Sequence, residues 1–320
     1  MTPFITESSH LVNPLASSLQ LETSASRLDG VPRDLEDSIC FETGRLLQAA
    51  GVSLRLPQEI TAQSIVLWQR FSIGPDGGSF LEYDAEVSDA SIMGEWKYPD
   101  HLTASQATAA AALYLAAKST GHSQSPRNVI TVFSCLAGIR PEYPDRMTNE
   151  GHSVANFHIA EADYELARER LYRMESIILR TLGFNTHVAV PFTLCINYMQ
   201  TLDTFKSHTK GSLAAKRAFA HLNSALLSPQ LLCLTHQPSS LATASIYLAA
   251  RETDVKLPEV EWWEVFDVDR EELGFLVVAL KSLEGFAMEE KRRWGRKKVP
   301  LTVLDLESEL ERRKMLDVGE

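Results

Sequence analysis

Ala112-Leu113-Tyr114-Leu115-Ala116-Ala117-Lys118 and Ser245-Ile246-Tyr247-Leu248-Ala249-Ala250-Arg251 are nearly the same phrase written twice. Both are rich in Ala and Leu, the strongest helix formers, and neither holds Gly or Pro. The first is preceded by Thr103, a candidate N-cap, with Gln106 three positions on, and is followed by Gly121. That is a helix with a start and a stop. A helix so poor in polar side chains belongs in the middle of a bundle.

The match continues in register. Val129-Ile130-Thr131-Val132-Phe133 and Trp262-Trp263-Glu264-Val265-Phe266 each end fifteen positions after the closing Lys118 or Arg251. Each is followed by a long apolar-striped segment reaching Gly-Phe, at Gly183-Phe184 and Gly285-Phe286. Two copies at one offset are a tandem duplication. No period-two alternation of useful length appears, so the class is all-α.

Around the two copies the chain divides by composition. Residues 1–33 are rich in Ser and Thr and read as a disordered tail. Residues 34–186 form the first repeat. It opens on a stripe through Ile39, Thr43, Leu46 and Leu47, and a second helix begins at Pro57 with Ile60, Ser64, Leu67 and Phe71 on one face. Residues 72–102, with Gly74, Pro75, Gly77, Gly78 and seven carboxylates, read as an acidic insertion, and 138–155 as another loop. The last helix of the repeat carries Ala167, Leu171, Met174, Ile178 and Leu182. The second repeat spans 187–287, with helices expected at 191–202, 211–228, 238–252, 259–266 and 269–287. Residues 288–320 read as a basic tail with a short charged helix after Pro300.

Composition narrows the function. A chain of 320 residues can hold two domains with real cores. A net charge of −11 argues against binding nucleic acid directly. The start, Met1-Thr2-Pro3-Phe4-Ile5, lacks the basic and apolar regions of a signal peptide, and the longest apolar run, Phe275 to Leu280, is too short to span a bilayer. Cys40, Cys135, Cys195 and Cys233 stand singly, as reduced thiols would in an intracellular protein. No Cys-x-x-Cys, His-x-x-x-His, Gly-x-Ser-x-Gly or phosphate-binding loop occurs, so neither a metal, a cofactor nor a catalytic residue is expected. By spacing alone, Lys118 is a cation at a helix C-terminus and Glu175 an exposed helix carboxylate at the edge of an apolar stripe. Lys291, Arg292, Arg293, Arg296, Lys297 and Lys298 form the one dense basic run and read as a nuclear import signal.

The duplicated five-helix unit, Leu113-Tyr114-Leu115-Ala116-Ala117-Lys118 and Met174 through Phe184 together resemble the two cyclin boxes of a cyclin. Leu47-Gln48-Ala49-Ala50-Gly51-Val52, Leu54-Arg55-Leu56-Pro57-Gln58, Gln69-Arg70-Phe71 and Arg296-Lys297-Lys298-Val299 resemble the L-type cyclins of transcription and splicing. The resemblance implies a non-catalytic regulatory subunit. It would bind and activate a cyclin-dependent protein kinase as a heterodimer in the nucleus, with transcription or splicing machinery as further partners. It assigns kinase binding to Lys118 and Glu175, with Leu115 and Phe133 as apolar support. Ser119-Thr120-Gly121 stand where family members place a hydrophobic residue and two glutamates. Two other readings stay open: a cyclin-fold scaffold, and an assembly protein like the general transcription factors, neither activating a kinase.

Overall fold

The computed structural model describes residues 11–74, 77–81, 104–138, 159–295, 299–301 and 303–317. Thirteen α-helices are formed among the described residues, with no strand. They group into two compact units. One holds Ser18–Thr186 and the residues from Met288 onward; the other holds the residues up to Ser17 and His187–Ala287.

In the first unit two short helices, α1 (Ser18–Glu22) and α2 (Ala25–Leu28), precede α3 (Arg33–Ser53), α4 (Gln58–Ile73), α5 (Ala104–Ser119), α6 (Pro126–Gly138) and α7 (Glu161–Thr181). Helix α5 touches each of α3, α4, α6 and α7. Its centre is nearly all alanine, and Ala109 through Leu113 are at most 2% exposed. Side chains that small let neighbouring helices approach on every side. Trp68 Nε1 donates to Thr108 Oγ1 at 3.0 Å, a buried polar tie that joins α4 to α5. Where α3 and α4 meet, a Cβ on Gly51 would lie 2.2 Å from Thr61 Oγ1, so only glycine fits. Thr103, the expected N-cap of α5, lies outside the described residues, as do 75–76 and 82–102 of the acidic insertion and 139–155 of the second loop.

The other unit repeats the plan with α8 (Phe192–Thr201), α9 (His208–Ala225), a single turn α10 (Leu232–Thr235), α11 (Pro238–Thr253), a 3-10 turn at Trp262–Phe266, and α12 (Arg270–Trp294). Helix α11 is central, against α8, α9, α10 and the 3-10 turn. The expected helix at 259–266 is that turn, closed by Phe266 stacked on Tyr198 at 3.8 Å. Helix α12 passes through Gly285 rather than ending near 287, because Ala287-Met288-Glu289-Glu290-Lys291-Arg292 are all good helix formers. In the first repeat the chain does stop. Gly183 takes φ +57, and Phe184 N donates to Leu179 O at 2.8 Å in a Schellman-type cap.

Residues 11–33, expected to be part of a disordered tail, are instead folded. Asn13 is 5% exposed; its Nδ2 donates to Ala189 O and its Oδ1 accepts from Ala189 N, both at 2.8 Å, while Gln237 brackets its backbone. Further on, Ser24 Oγ donates to Glu36 Oε1 and Arg27 pairs with Glu36, pinning α2 to α3. Phe80, at the head of the insertion, stacks on Trp68 and donates its N–H to Ser26 Oγ. Few residues are involved, but each satisfies buried backbone or side-chain polar groups, which Ser/Thr-rich composition does not reveal.

The C-terminal segment is likewise part of the first unit. Helix α13 (Val303–Asp317) buries Val303 and Leu306. Arg313 pairs with Asp34 at 3.0 Å and with Glu309 at 3.2 Å, Arg293 reaches Asp34 at 3.2 Å, and Trp294 Nε1 donates to Ser38 Oγ. Hydrogen bonds from Arg312, with help from Arg313, hold the Glu309 carboxyl at about 2. Burial pushes Asp34 up, but Arg313 and Arg293 outweigh it and its pKa is lowered.

Candidate functional site

Lys118 and Glu175 lie 57 positions apart in the chain, and the fold brings them together: Lys118 Nζ donates to Glu175 Oε1 at 3.0 Å. Lys118 occupies the last turn of α5, where the helix dipole favours a cation. Glu175 sits mid-helix on α7, between Met174 and Ile178, on the side that packs against α5. The two ends of the pair differ. The lysine side chain is 57% exposed and the glutamate 9%, so Glu175 is a buried carboxylate and not the solvated one expected from spacing. The hydrogen bond and charge of Glu175 hold the Lys118 ammonium above the usual lysine range. Lys118 gives the buried Glu175 side chain its hydrogen-bonded partner, which offsets part of the cost of burying it.

Aromatic groups frame the pair. Lys118 Nζ lies 5.6 Å from the ring centre of Tyr114, and the Tyr114 and Tyr172 rings are 6.2 Å apart. Burial, followed by the neighbouring Tyr172, pushes the Tyr114 phenol up. Lys118, Tyr114, Tyr172 and Glu175 thus form one connected group on two helices. A second tie lies nearer the start of α7: Arg127 of α6 grips both oxygens of Glu161 at 3.0 and 2.9 Å and stacks over Tyr164 at 4.1 Å.

The two expected apolar contacts lie elsewhere. Leu115 is 5% exposed and Phe133 is fully buried, so both belong to the core beneath the pair and offer no surface to a partner. Their places in the repeated phrase make them central to the bundle. Tyr172 is the residue that sequence reading misses. The available signal is its position off the α7 core stripe of Tyr164, Leu171, Met174 and Ile178, which leaves a large aromatic with nothing to bury it.

Of the basic run, Lys291, Arg292 and Arg293 lie in the last turn of α12, and Arg293 also approaches Glu290 at 3.7 Å. Arg296, Lys297 and Lys298 lie outside the described residues. Among the described residues, no cluster of His, Cys, Asp or Glu could hold a metal ion, and no helix is long and apolar enough to cross a membrane. All four cysteines are free; burial pushes the Cys195 and Cys233 thiols up to about 12.

No family model matches the chain. It is 29% identical over 272 residues to an uncharacterised cyclin-L1-like protein of Schizosaccharomyces pombe, covering 85% of this chain and 90% of that one. It is 29% identical over 306 residues to human cyclin-L2, covering 95% of this chain and 49% of that one. With cyclin-L1-1 of Arabidopsis thaliana the identity is 28% over 265 residues, 82% of this chain and 54% of that one. The chain thus spans most of the fission-yeast protein and about half of the other two. In fold it is similar to a chain in the crystal structure of the yeast RNA Pol II CTD kinase CTDK-1 complex. The TM-score is 0.62 at 14% identity, over 95% of this chain and 84% of that one. A chain of the CAK complex of Chaetomium thermophilum bound to ATP-γ-S gives 0.52 at 17% identity, over 95% and 89%. The all-α fold of two tandem repeats and the resemblance to L-type cyclins are both borne out.

Proposed function

We propose that this chain, a relative of the L-type cyclins, is the regulatory subunit of a cyclin-dependent protein kinase acting in transcription or pre-mRNA processing. It supplies no catalytic group of its own. The observation that carries this reading is the Lys118–Glu175 pair: a half-exposed cation held over a buried carboxylate at the rim of the first repeat, next to exposed aromatic surface. A kinase helix packed there would be offered a positive group whose position is already set. Binding that favours the inward position of the kinase's regulatory helix shifts the kinase toward its active state.

The pair also supports a second reading. Lys118 and Glu175 satisfy one another in the free chain, so the same surface suits a cyclin-fold scaffold that needs no kinase. One experiment separates the two. The purified chain is offered to a panel of purified cyclin-dependent kinases, and binding and phosphorylation of a peptide substrate are measured together. The first reading expects one kinase to bind and gain activity. Within it, truncating one partner of a desolvated charge contact typically costs about 2–5 kcal/mol, so Lys118→Ala and Glu175→Ala should each bind at least about thirtyfold more weakly. Arg251→Ala, at the matching place of the second repeat, should stay within about twofold. Binding by no kinase selects the scaffold, and binding without a gain in activity removes activation from the first reading.

Nuclear residence goes with this function, and the basic run is its proposed address. Lys291, Arg292 and Arg293 are helical, and Arg293 is engaged with Asp34, so the alanine scan should target Arg296, Lys297 and Lys298. A fluorescent fusion of the full chain that remains nuclear after this triple change would reject the address.

A further inference from the structure

We propose that Tyr172 is the apolar anchor of the surface built around Lys118 and Glu175, seated in the complex against an aliphatic side chain of the kinase. This rests on the kinase-subunit reading above and adds the residue that would supply contact area and selectivity. The argument begins with what the surface lacks. A charged pair alone gives orientation and little affinity, because its Coulomb gain is largely offset by desolvation. A stable contact needs apolar area at its centre. Leu115 and Phe133 cannot provide it, being 5% and 0% exposed. Among the described residues of α5, α6 and α7, Tyr172 is the one large apolar side chain that is exposed, at 43%.

Position and rigidity make it suited to the task. Tyr172 precedes Glu175 by three residues on α7, so the two lie one above the other on the same face. One side of its ring meets Tyr114, whose own ring lies beneath the Lys118 ammonium. The ring is therefore held before any partner arrives. A pre-held aromatic loses little freedom on binding, and tyrosine is enriched among the residues that dominate interface energy for this reason.

The test uses the full chain and the kinase that binds it in the panel above. Tyr172→Ala should weaken binding at least tenfold with an unchanged melting temperature, while Tyr172→Phe, which keeps the ring, should stay within about threefold. Phe184→Ala is the control. It removes a side chain that is more exposed, at 69%, but lies beyond the end of α7 and outside the cluster, so it should bind as the parent does. If Tyr172→Ala lowers the melting temperature, Tyr172→Gln, with a smaller polar side chain suited to a helix surface, takes its place and must show the same loss. Parent-like binding by the ring-free variant overturns the anchor alone and leaves the kinase reading standing. Equal loss in Phe184→Ala also overturns it, by showing a non-specific effect. A parent chain that binds no kinase fails the functional reading, and the anchor falls with it.

Discussion

Helices α5 and α11 end on nearly the same letters, yet their final cations meet different surroundings. Lys118 reaches a buried carboxylate at 3.0 Å. Arg251 leans on Tyr247, four residues back on its own helix, with its guanidinium 5.9 Å from the ring and 3.3 Å from the hydroxyl. The two repeats differ in sequence at the position matching the carboxylate. Glu175 stands eight positions before Gly183, and the residue eight positions before Gly285 is Val277. The two repeats therefore share a core and differ in surface. The repeated apolar phrase specifies a bundle with one small-residue helix in its middle, and a single residue elsewhere decides whether its rim carries an ion pair.

The repeats also part in what completes them. The first is closed by chain from both sides of the second, through Arg27–Glu36 at one end and Arg313–Asp34 at the other. If this closure is structural, the largest effect should come from its apolar centre. Leu306 is 1% exposed, and Leu306→Ala should cost about 2–5 kcal/mol by leaving a cavity. Calorimetry of the full chain should show that loss, and a change under about 0.5 kcal/mol would make α13 an appendage.

A smaller effect should separate the two Gly-Phe ends by sign. Gly183 holds φ +57, in the left-handed region, so Gly183→Ala should destabilise by about 1 kcal/mol. Gly285 is mid-helix, and a Cβ there would meet nothing within 4 Å, so Gly285→Ala should stabilise by about 0.5–1 kcal/mol. Denaturant melts of the two variants should move in opposite directions; movement in the same direction would mean that the two ends are alike after all.

The smallest effect concerns the pair itself. Because the Lys118 pKa is raised on folding, its contribution is complete below the unfolded lysine value of about 10.4 and is lost as pH rises through the folded value. For a half-exposed pair this amounts to a few tenths of a kcal/mol. Melts of the parent and Lys118→Met should differ by that amount at neutral pH and converge in strong alkali. The corresponding comparison with Arg251→Met should show no convergence, since Arg251 has no carboxylate partner among the described residues and arginine stays charged. A gap between parent and Lys118→Met that persists in strong alkali would show that the methylene stem, and not the charge, is what matters.

Much of the molecule was legible in the chain. The two Tyr-Leu-Ala-Ala phrases placed the central helices, since small apolar residues on every face leave a helix nowhere to go but the middle. Gly121 and Gly183 mark stops because both sit at positive φ, which glycine reaches without strain. What the chain could not reveal depends on partners far apart in sequence. Gly285 resembles Gly183 in its local letters, but the helix formers after it carry α12 onward. Ser24, Ser26 and Asn13 look like tail residues until the bonds to Glu36, Phe80 and Ala189 bury them. Asp34 meets Arg313 only through tertiary packing, across 279 positions of chain. Apolar periodicity alone determined that this protein is a duplicated helical bundle, because burial of one stripe per helix is a local property of the sequence. Only the tertiary structure decided that Glu175 is buried against Lys118, that Phe133 is core and that Tyr172 is surface. Each of those depends on which helix lies opposite, and a single helix cannot encode that.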